Sequence, residues 1–599
     1  MAPAFPSLLS QALEAARAAL KRSAKRNAPA DPLLGRIDLT PYSADFSTDK
    51  SKAGDGLVAE ISGSVSIGGR LYSISSGGSN RITLADWSDP QNPRYLQQLN
   101  LGANFTTSVA TFGRLVAIAV TPASYDAAGL EPSKSEIRFY TLVPPSRFNP
   151  DGSLIEVGRV ETGFLSDGMR FSADGKKLFI ANEGQPNSDF TEDPVGSVTI
   201  VSIMGNPLRP RFEKVDVAMP ELDAPGLELL GSGIRFSGKE GVTETFAQSA
   251  EPEYVSAAGG YLFATLQENN TVARINLRTN EVEAYIGLGW VDYSQVAVDL
   301  TNKDKDDVGA DANGFNPRTG QQAVGLRMAD GIAAWKQGKN VYFLTANEGD
   351  ARDYDSYVDE IRDEDLDNGY ANVPGRLNLI AENSDDSQAV LVLSDDLADA
   401  DPTNDLAFES ATRSGTPVSF GSRSISLFDG ITGELIWDSW MTDNIGGTDY
   451  NTSLQNVAAF AGIPSIPGIY DDGRSDDKGV EPETVALVEY FGHRYAVAAL
   501  ERTDAGNDQV TQGGLLVVYD VTDVRNVDFV TYQQVSRSPE GVEVIQPLQS
   551  PTRRTLLGVS SEFNSNSVEY LDFGALLHNG NGEAYLASDL ARPDLYATL

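Results

Sequence analysis

Short apolar runs recur along the chain at strand length, bounded by Gly, Asp, Asn or Pro. The clearest unit spans Asp167 to Val217. Asp167-Gly168-Met169-Arg170-Phe171 opens it, Asp174-Gly175 marks a tight hairpin, and Lys177 to Ala181 is apolar and ends in Asn182-Glu183. Val198 to Ile203 then alternates, and Phe212 to Val217 closes the unit. The same grammar fits six more segments, beginning near Glu60, Ser108, Glu253, Asp330, Glu483 and Glu540. The pattern predicts an all-β chain of seven four-stranded units that close as a seven-bladed β-propeller. Closure hides strand edges, and no Pro/Gly/Ser linker in mid-chain separates two β domains.

Three segments depart from this grammar. Residues 1–35 read as an N-terminal amphipathic helix and linker, with Leu8, Leu9, Ala12, Leu13, Ala16 and Leu20 on one face of a helix over 7–26. The helix is expected to dock on the propeller, to touch a membrane, or to reflect a misassigned start. The propeller is expected over 36–580, with a long insertion in blade five at about 350–422. Residues 581–599, small and apolar, read as an export signal or as the closure of the seventh blade. Asp304-Lys305-Asp306-Asp307-Val308-Gly309 imitates the start of an EF-hand loop, but position twelve is Phe315 and no helices flank it, so a solvated acidic loop is expected.

In a propeller blade the first strand lines the channel and the second runs antiparallel beside it. The start of one and the end of the other therefore share a face. This pairs Asp167 with Glu183, Glu253 with Glu268, Asp330 with Glu348, Glu483 with Glu501, and Glu540 with Glu562, and Glu60 adds a sixth first-strand acid. So many like charges on one rim raise each other's pKa unless cations or arginines offset them. Calcium, which takes 6–8 oxygen ligands, is the cation expected, with other divalent metals as alternatives. Asp350 joins the metal candidates from the loaded segment Asn347 to Asp355. Some acids could instead cap turns or pair with Arg170, Arg327 or Arg502.

Composition narrows the chemistry further. The 599-residue chain is 41% hydrophobic, enough for a packed core. Its net charge of −39 disfavours nucleic acid and anionic membrane surfaces and attracts divalent cations. With no cysteine, iron–sulfur clusters and thiolate zinc sites are excluded, and haem is not expected. The two histidines, His493 in a hairpin and His578 near the C-terminus, leave little for a histidine-based centre. No apolar run is long enough to span a membrane.

Several motifs are long enough to be specific: Asp167-Gly168 with Ala181-Asn182-Glu183-Gly184, Glu251-Pro252-Glu253-Tyr254 with Gln267-Glu268-Asn269-Asn270, Asp330-Gly331-Ile332 with Thr345 to Asp355, Gly421-Ser422-Arg423-Ser424, Arg474 to Gly479 with Glu481-Pro482-Glu483, and Pro539-Glu540-Gly541. Over roughly residues 55–572 the chain resembles the choice-of-anchor I domain family, which is related to a mesenchyme-specific cell-surface glycoprotein and to atypical bacterial and cyanobacterial alkaline phosphatases. The resemblance implies an extracytoplasmic, periplasmic or cell-surface propeller associated with calcium. It supplies no settled catalytic set, and the absence of a signal peptide leaves a cytoplasmic location open. Two functions compete. One is a metal-dependent phosphomonoesterase acting on a small phosphorylated substrate, with Glu348, Asp350, Arg352, Arg423 and Arg474 as catalytic candidates, the arginines stabilising phosphoryl charge. The other is a non-enzymatic calcium-binding matrix protein meeting calcium or a mineral surface, and a third reading is a protein-binding scaffold that uses the insertion.

Overall fold

The computed structural model describes residues 32–42, 59–222, 228–235, 244–300, 315–362, 389–391, 418–460, 470–503 and 513–578, apart from positions 126, 151, 322, 355, 356, 359, 363, 441, 442, 446, 447, 451, 452, 471, 476, 563 and 564. The helix expected over 7–26, most of the 350–422 insertion, the loop at 304–309 and the tail at 581–599 lie outside them.

Among the described residues seven arrays of four antiparallel strands follow one another; the second gains a short fifth strand, Asn104–Phe105, and the fourth gains Glu228–Ser232, parallel to Glu281–Leu288. Sheet 1 is Ile61–Ile67, Arg70–Ser76, Arg81–Asp86 and Arg94–Asn100, and sheet 2 is Val109–Phe112, Leu115–Pro122, Lys134–Val143 and Ser153–Phe164. Sheet 3 is Ser166–Phe171, Lys177–Asn182, Ser197–Asn206 and Arg209–Ala218, and sheet 4 is Pro252–Ala258, Tyr261–Leu266, Thr271–Asn276 and Glu281–Leu288. Sheet 5 is Ile332–Gln337, Asn340–Asn347, Ser424–Asp429 and Leu435–Asp438, and sheet 6 is Pro482–Tyr490, His493–Leu500, Gly514–Asp520 and Asp528–Val535. Sheet 7 is Pro539–Ile545, Leu556–Ser561 and Ser567–Asp572, and its fourth strand comes from the other end of the chain: Leu33–Asp38 runs antiparallel to Ser567–Leu571. That strand starts inside the segment read as linker.

Second strands are buried along almost their whole length, as in Leu115–Thr121 and Tyr342–Asn347. They are sandwiched between neighbouring sheets, which is why they read as unbroken apolar runs. Apolar clusters fill each contact between consecutive sheets. One further cluster joins the seventh sheet to the first, where Leu71 and Trp87 meet Leu556 and Tyr570, with the Trp87 and Tyr570 rings 4.3 Å apart. First strands touch in sequence in the same way, and Pro539–Ile545 touches Ile61–Ile67. This is the layout of a β-propeller.

The insertion in sheet 5 leaves the end of its second strand and returns at Val418–Ser419. Three of its described strands join the sheet 4–to–5 connection in a separate five-stranded sheet, ordered Trp290–Asp292, Val324–Leu326, Val418–Ser419, Ala389–Leu391 and Glu360–Arg362, while Asp353–Tyr354 pairs with Tyr357–Val358. His493 sits in a hairpin with Nδ1 2.8 Å from Asp520, and His578 ends the short helix Phe573–His578.

The N-terminal strand is expected to carry stability out of proportion to its length. Ile37 is buried in the cluster joining sheets 7 and 1. Ile37→Asp places an unpaired charge there and is expected to cost about 3 kcal/mol. Chemical denaturation checks this, and a midpoint equal to wild type contradicts it.

Candidate functional site: a buried carboxylate cluster

The acids at the starts of the first strands are aimed by a repeated backbone device. In sheets 3, 4, 6 and 7 the pairing of first and second strands slips at the acid: between Ser166 and Met169, Pro252 and Val255, Pro482 and Thr484, and Pro539 and Gly541. Such bulges re-aim a side chain. Two residues before the acid, Leu165, Met328, Glu481 and Ser538 all adopt left-handed backbone, with φ between 40° and 49°. Each such non-glycine residue costs about 1–2 kcal/mol, so the conformation is held by its surroundings. The glycine after the acid has a different task. A Cβ on Gly168 would lie 2.3 Å from the Glu253 carbonyl oxygen, and one on Gly331 would lie 2.7 Å from that of Glu483. Asp-Gly therefore lets the next acid-bearing strand approach closely.

The acids that end the second strands are held by buried asparagines. Asn182 accepts from Ser166 Oγ at 2.7 Å and donates to Thr199, and Asn347 donates to Ser424 and Ser426. These asparagines tie the strands together and set the direction of Glu183 and Glu348.

The acids from different sheets meet. Asp167, Glu183 and Glu253 each offer an oxygen within 4.8 Å of the others, and so do Asp330, Glu348 and Glu483. Glu348, Glu481 and Glu501 form a third such group, and Glu501, Glu540 and Glu562 a fourth. Glu348 and Glu501 each belong to two groups. Repulsions pass from Glu60 to Asp167, from Asp167 to Glu253, and from Glu253 to Asp330. They continue through Glu483 to Glu540, which in turn feels Glu60. Glu268 bears on Glu183 and Glu253. Asp350 is more exposed and reaches the cluster through Lys478 Nζ at 2.6 Å. Sheet 2 contributes no acid, with Thr106, Thr107 and Ser108 at the equivalent place.

Two ionised carboxylates about 4.8 Å apart repel by about 3.5 kcal/mol at an effective dielectric near 20, more than two pKa units. Burial adds to this. Burial and Asp167 push Glu60 up to about 8, burial pushes Asp167 up to about 7, and burial outweighs Lys478 in taking Glu348 up to about 7. Burial, then neighbouring acids, hold Glu183, Glu253, Asp330, Glu483, Glu540 and Glu562 well above the usual carboxylate range. Buried oxygens of Asp330 (Oδ2) and Glu540 (Oε1) have no hydrogen-bond partner.

Glu481 behaves differently. Burial pushes it up, but Lys478, Arg474 and Arg502 outweigh burial and hold it down at about 2. Lys478 Nζ lies 3.6 Å from Glu481 and 3.3 Å from Glu348, and Arg502 pairs with Glu501 at 2.8 Å. One side of the cluster thus carries its own cations. On the side of Asp167, Glu183 and Glu253 burial is the largest influence, and for Glu183 and Glu253 other acids come next.

The three arginines nominated from sequence are committed to internal partners. Arg352 is buried, pairs with Glu244 at 2.8 Å and Glu251 at 2.9 Å, and lies against the Phe190 and Tyr354 rings. Arg423 is buried with φ 57° and donates to the carbonyls of Asp299, Ser475 and Asp477, clamping the 475–477 turn to sheet 5. Arg474 pairs with Asp477 at 2.8 Å and with Glu481. Arg327 pairs with Asp438 instead of a cluster acid. The sequence reading left Glu481 out of its site set, although Glu481-Pro482-Glu483 copies Glu251-Pro252-Glu253. In both copies the first glutamate pairs with an arginine and the second faces the cluster.

A family model described as the choice-of-anchor I domain matches residues 60–524. The chain belongs to the choice-of-anchor I domain family. No curated protein matches it. Among solved structures it is similar to Saccharomyces cerevisiae Sqt1, at 9% identity over 90% of this chain and 98% of that one, with a TM-score of 0.34. It is also similar to Kuenenia stuttgartiensis hydrazine synthase, at 10% identity over 86% and 95% of the two chains, with a TM-score of 0.36. At these scores the likenesses carry no argument. Among the described residues no helix is long and apolar enough to cross a membrane.

The raised carboxyls give a signed pH dependence. Groups whose folded pKa exceeds the unfolded value stabilise the fold below the unfolded value and lose that contribution as pH climbs through the folded one. In chelator-treated protein the window runs from the ordinary 4.5 to about 8 for Glu60. The melting temperature is expected to fall across that window and to recover at its upper end on adding calcium. A metal-free protein whose melting temperature rises over the same interval contradicts the assignment.

Proposed function

We propose that this chain is a closed seven-bladed β-propeller that binds divalent cations, calcium foremost, at the carboxylate cluster, and that it works outside the cytoplasm as a calcium-dependent surface or matrix domain. The observation that carries this reading is the meeting of buried acids from five sheets without enough local cations to neutralise them. The donor set is all oxygen, with no histidine or cysteine, which suits a hard cation. Oxygens up to 4.8 Å apart match opposite ligands of an ion with bonds of about 2.4 Å. The seven-bladed, closed form is supported by the N-terminal strand in sheet 7 and by the apolar cluster between sheets 7 and 1.

Asp167, Glu183 and Glu253 would hold the first ion, because burial and, for Glu183 and Glu253, other acids are the largest influences on them. Asp330, Glu348 and Glu483 would hold a second, with Glu348 shared with Glu481 and Glu501 beside Lys478. A bound cation would remove the repulsion and lock the first strands of sheets 3 to 7 together. Between the binding and phosphomonoesterase readings the geometry favours binding, since Arg352, Arg423 and Arg474 are already paired within the protein. Family membership and the millimolar calcium available outside the cytoplasm support an extracytoplasmic setting.

Calorimetric titration of calcium into the chelator-treated full chain tests this. At least one saturable site is expected, with a higher melting temperature at saturation. Glu183→Gln with Glu253→Gln is expected to weaken the tightest site at least tenfold, while Asp174→Asn, in the exposed sheet 3 hairpin, changes nothing. Equal affinity in the double variant, or no heat and no thermal shift in the wild type, removes the proposal. Calcium-dependent hydrolysis of p-nitrophenyl phosphate by wild type, lost in the double variant, would move the conclusion to the phosphomonoesterase reading.

A further inference from the structure

The first strands of all seven sheets line one cavity of about 470 Å³, within the usual size of small-molecule sites. Its walls combine small residues, such as Gly63, Ala110 and Ala334, with larger ones, such as Met169 and Leu487. Arg170 is the single basic residue lining the cavity and is exposed in it.

Arg170 stands apart from the acid cluster. It is three residues along its strand from Asp167, about 10 Å at strand rise, and among the described residues no carboxylate lies within ion-pair distance of it. Its one hydrogen bond is to Ser256 Oγ at 3.3 Å, and that oxygen also accepts from the Ala334 amide at 2.9 Å. Tyr254 lies between the two regions: its phenol feels Asp330, Asp167, Glu483 and Glu60 on one side and bears on Arg170 on the other. The cavity's two acids do not answer Arg170. Glu540 belongs to the carboxylate cluster, and Glu543 accepts from the Ser64 amide at 2.9 Å, from Ser64 Oγ and from Tyr570.

A guanidinium that faces a cavity with no counter-charge among the described residues keeps a planar set of donors that matches an oxyanion. We infer that the cavity beneath the carboxylate cluster is a binding site for a small oxyanion, held by the Arg170 guanidinium. The site is distinct from the cation cluster. A cation bound there would strengthen anion binding by lowering the negative potential above Tyr254, but the anion's own contact is to Arg170.

Sulfate is a suitable probe, because it stays fully charged and remains soluble with low millimolar calcium. Calorimetric titration of the full chain with sodium sulfate, against sodium chloride at equal ionic strength, is expected to show one saturable site in calcium-loaded protein. Arg170→Met, which keeps the aliphatic stem, is expected to weaken it at least tenfold, and Arg170→Lys less. Calcium affinity is expected to stay unchanged in both, which separates this proposal from the cation reading. Should Arg170→Met fail to fold, anomalous diffraction from selenate-soaked crystals of the wild type decides the matter, with a peak expected within hydrogen-bond distance of the Arg170 guanidinium. Undiminished sulfate affinity in Arg170→Met, no saturable binding in the wild type, or a selenate peak only elsewhere overturns the inference.

Discussion

Repulsion among buried carboxylates is the constraint around which the inner strands are organised. Each acid sits where a first strand begins or a second ends, and sheets 3 to 7 each bring at least two to the same place. Repulsion of a few kcal/mol per close pair works against a fold whose whole margin is about 5–15 kcal/mol. Something must absorb it. On one side Lys478, Arg474 and Arg502 do so, holding Glu481 ionised. On the other side the carboxyls either keep their protons or take a cation.

The backbone is arranged to bring these charges together. Bulges at the acids of four sheets, left-handed residues two positions earlier, and the closeness that Gly168 and Gly331 allow act on one short stretch of the first strands. Packing alone would favour regular strands there. Strain repeated at equivalent places in several sheets is better explained by the task of the side chains it aims. The large apolar clusters between sheets supply the stability that permits it.

Much of this was legible from sequence because both signals are local. Strand runs separated by Asp-Gly or Gly-rich turns mark the sheets, and an acid at a strand start with another at the next strand's end predicts a shared face. Other features depend on contacts the chain does not announce. The pairing of Leu33–Asp38 with Ser567–Leu571 joins segments more than five hundred residues apart, and a short segment containing Gly35 and Arg36 carries little strand signal. Arg352, Arg423 and Arg474 look like site cations in sequence because they lie among acids, yet each is turned toward internal carboxylates or carbonyls. Leu165 and Met328 give no sign of left-handed backbone, since the surrounding fold imposes it.

The central claim is that a positive ion compensates the buried acids. Elemental analysis of the untreated, natively purified chain tests it most directly. At least one equivalent of calcium per chain, released by chelator with a fall in melting temperature, is the result expected. A chain that carries no metal, gains none from millimolar calcium, and melts at the same temperature with and without chelator at pH 8 would contradict it, and would mean that the cluster is held together by protons alone.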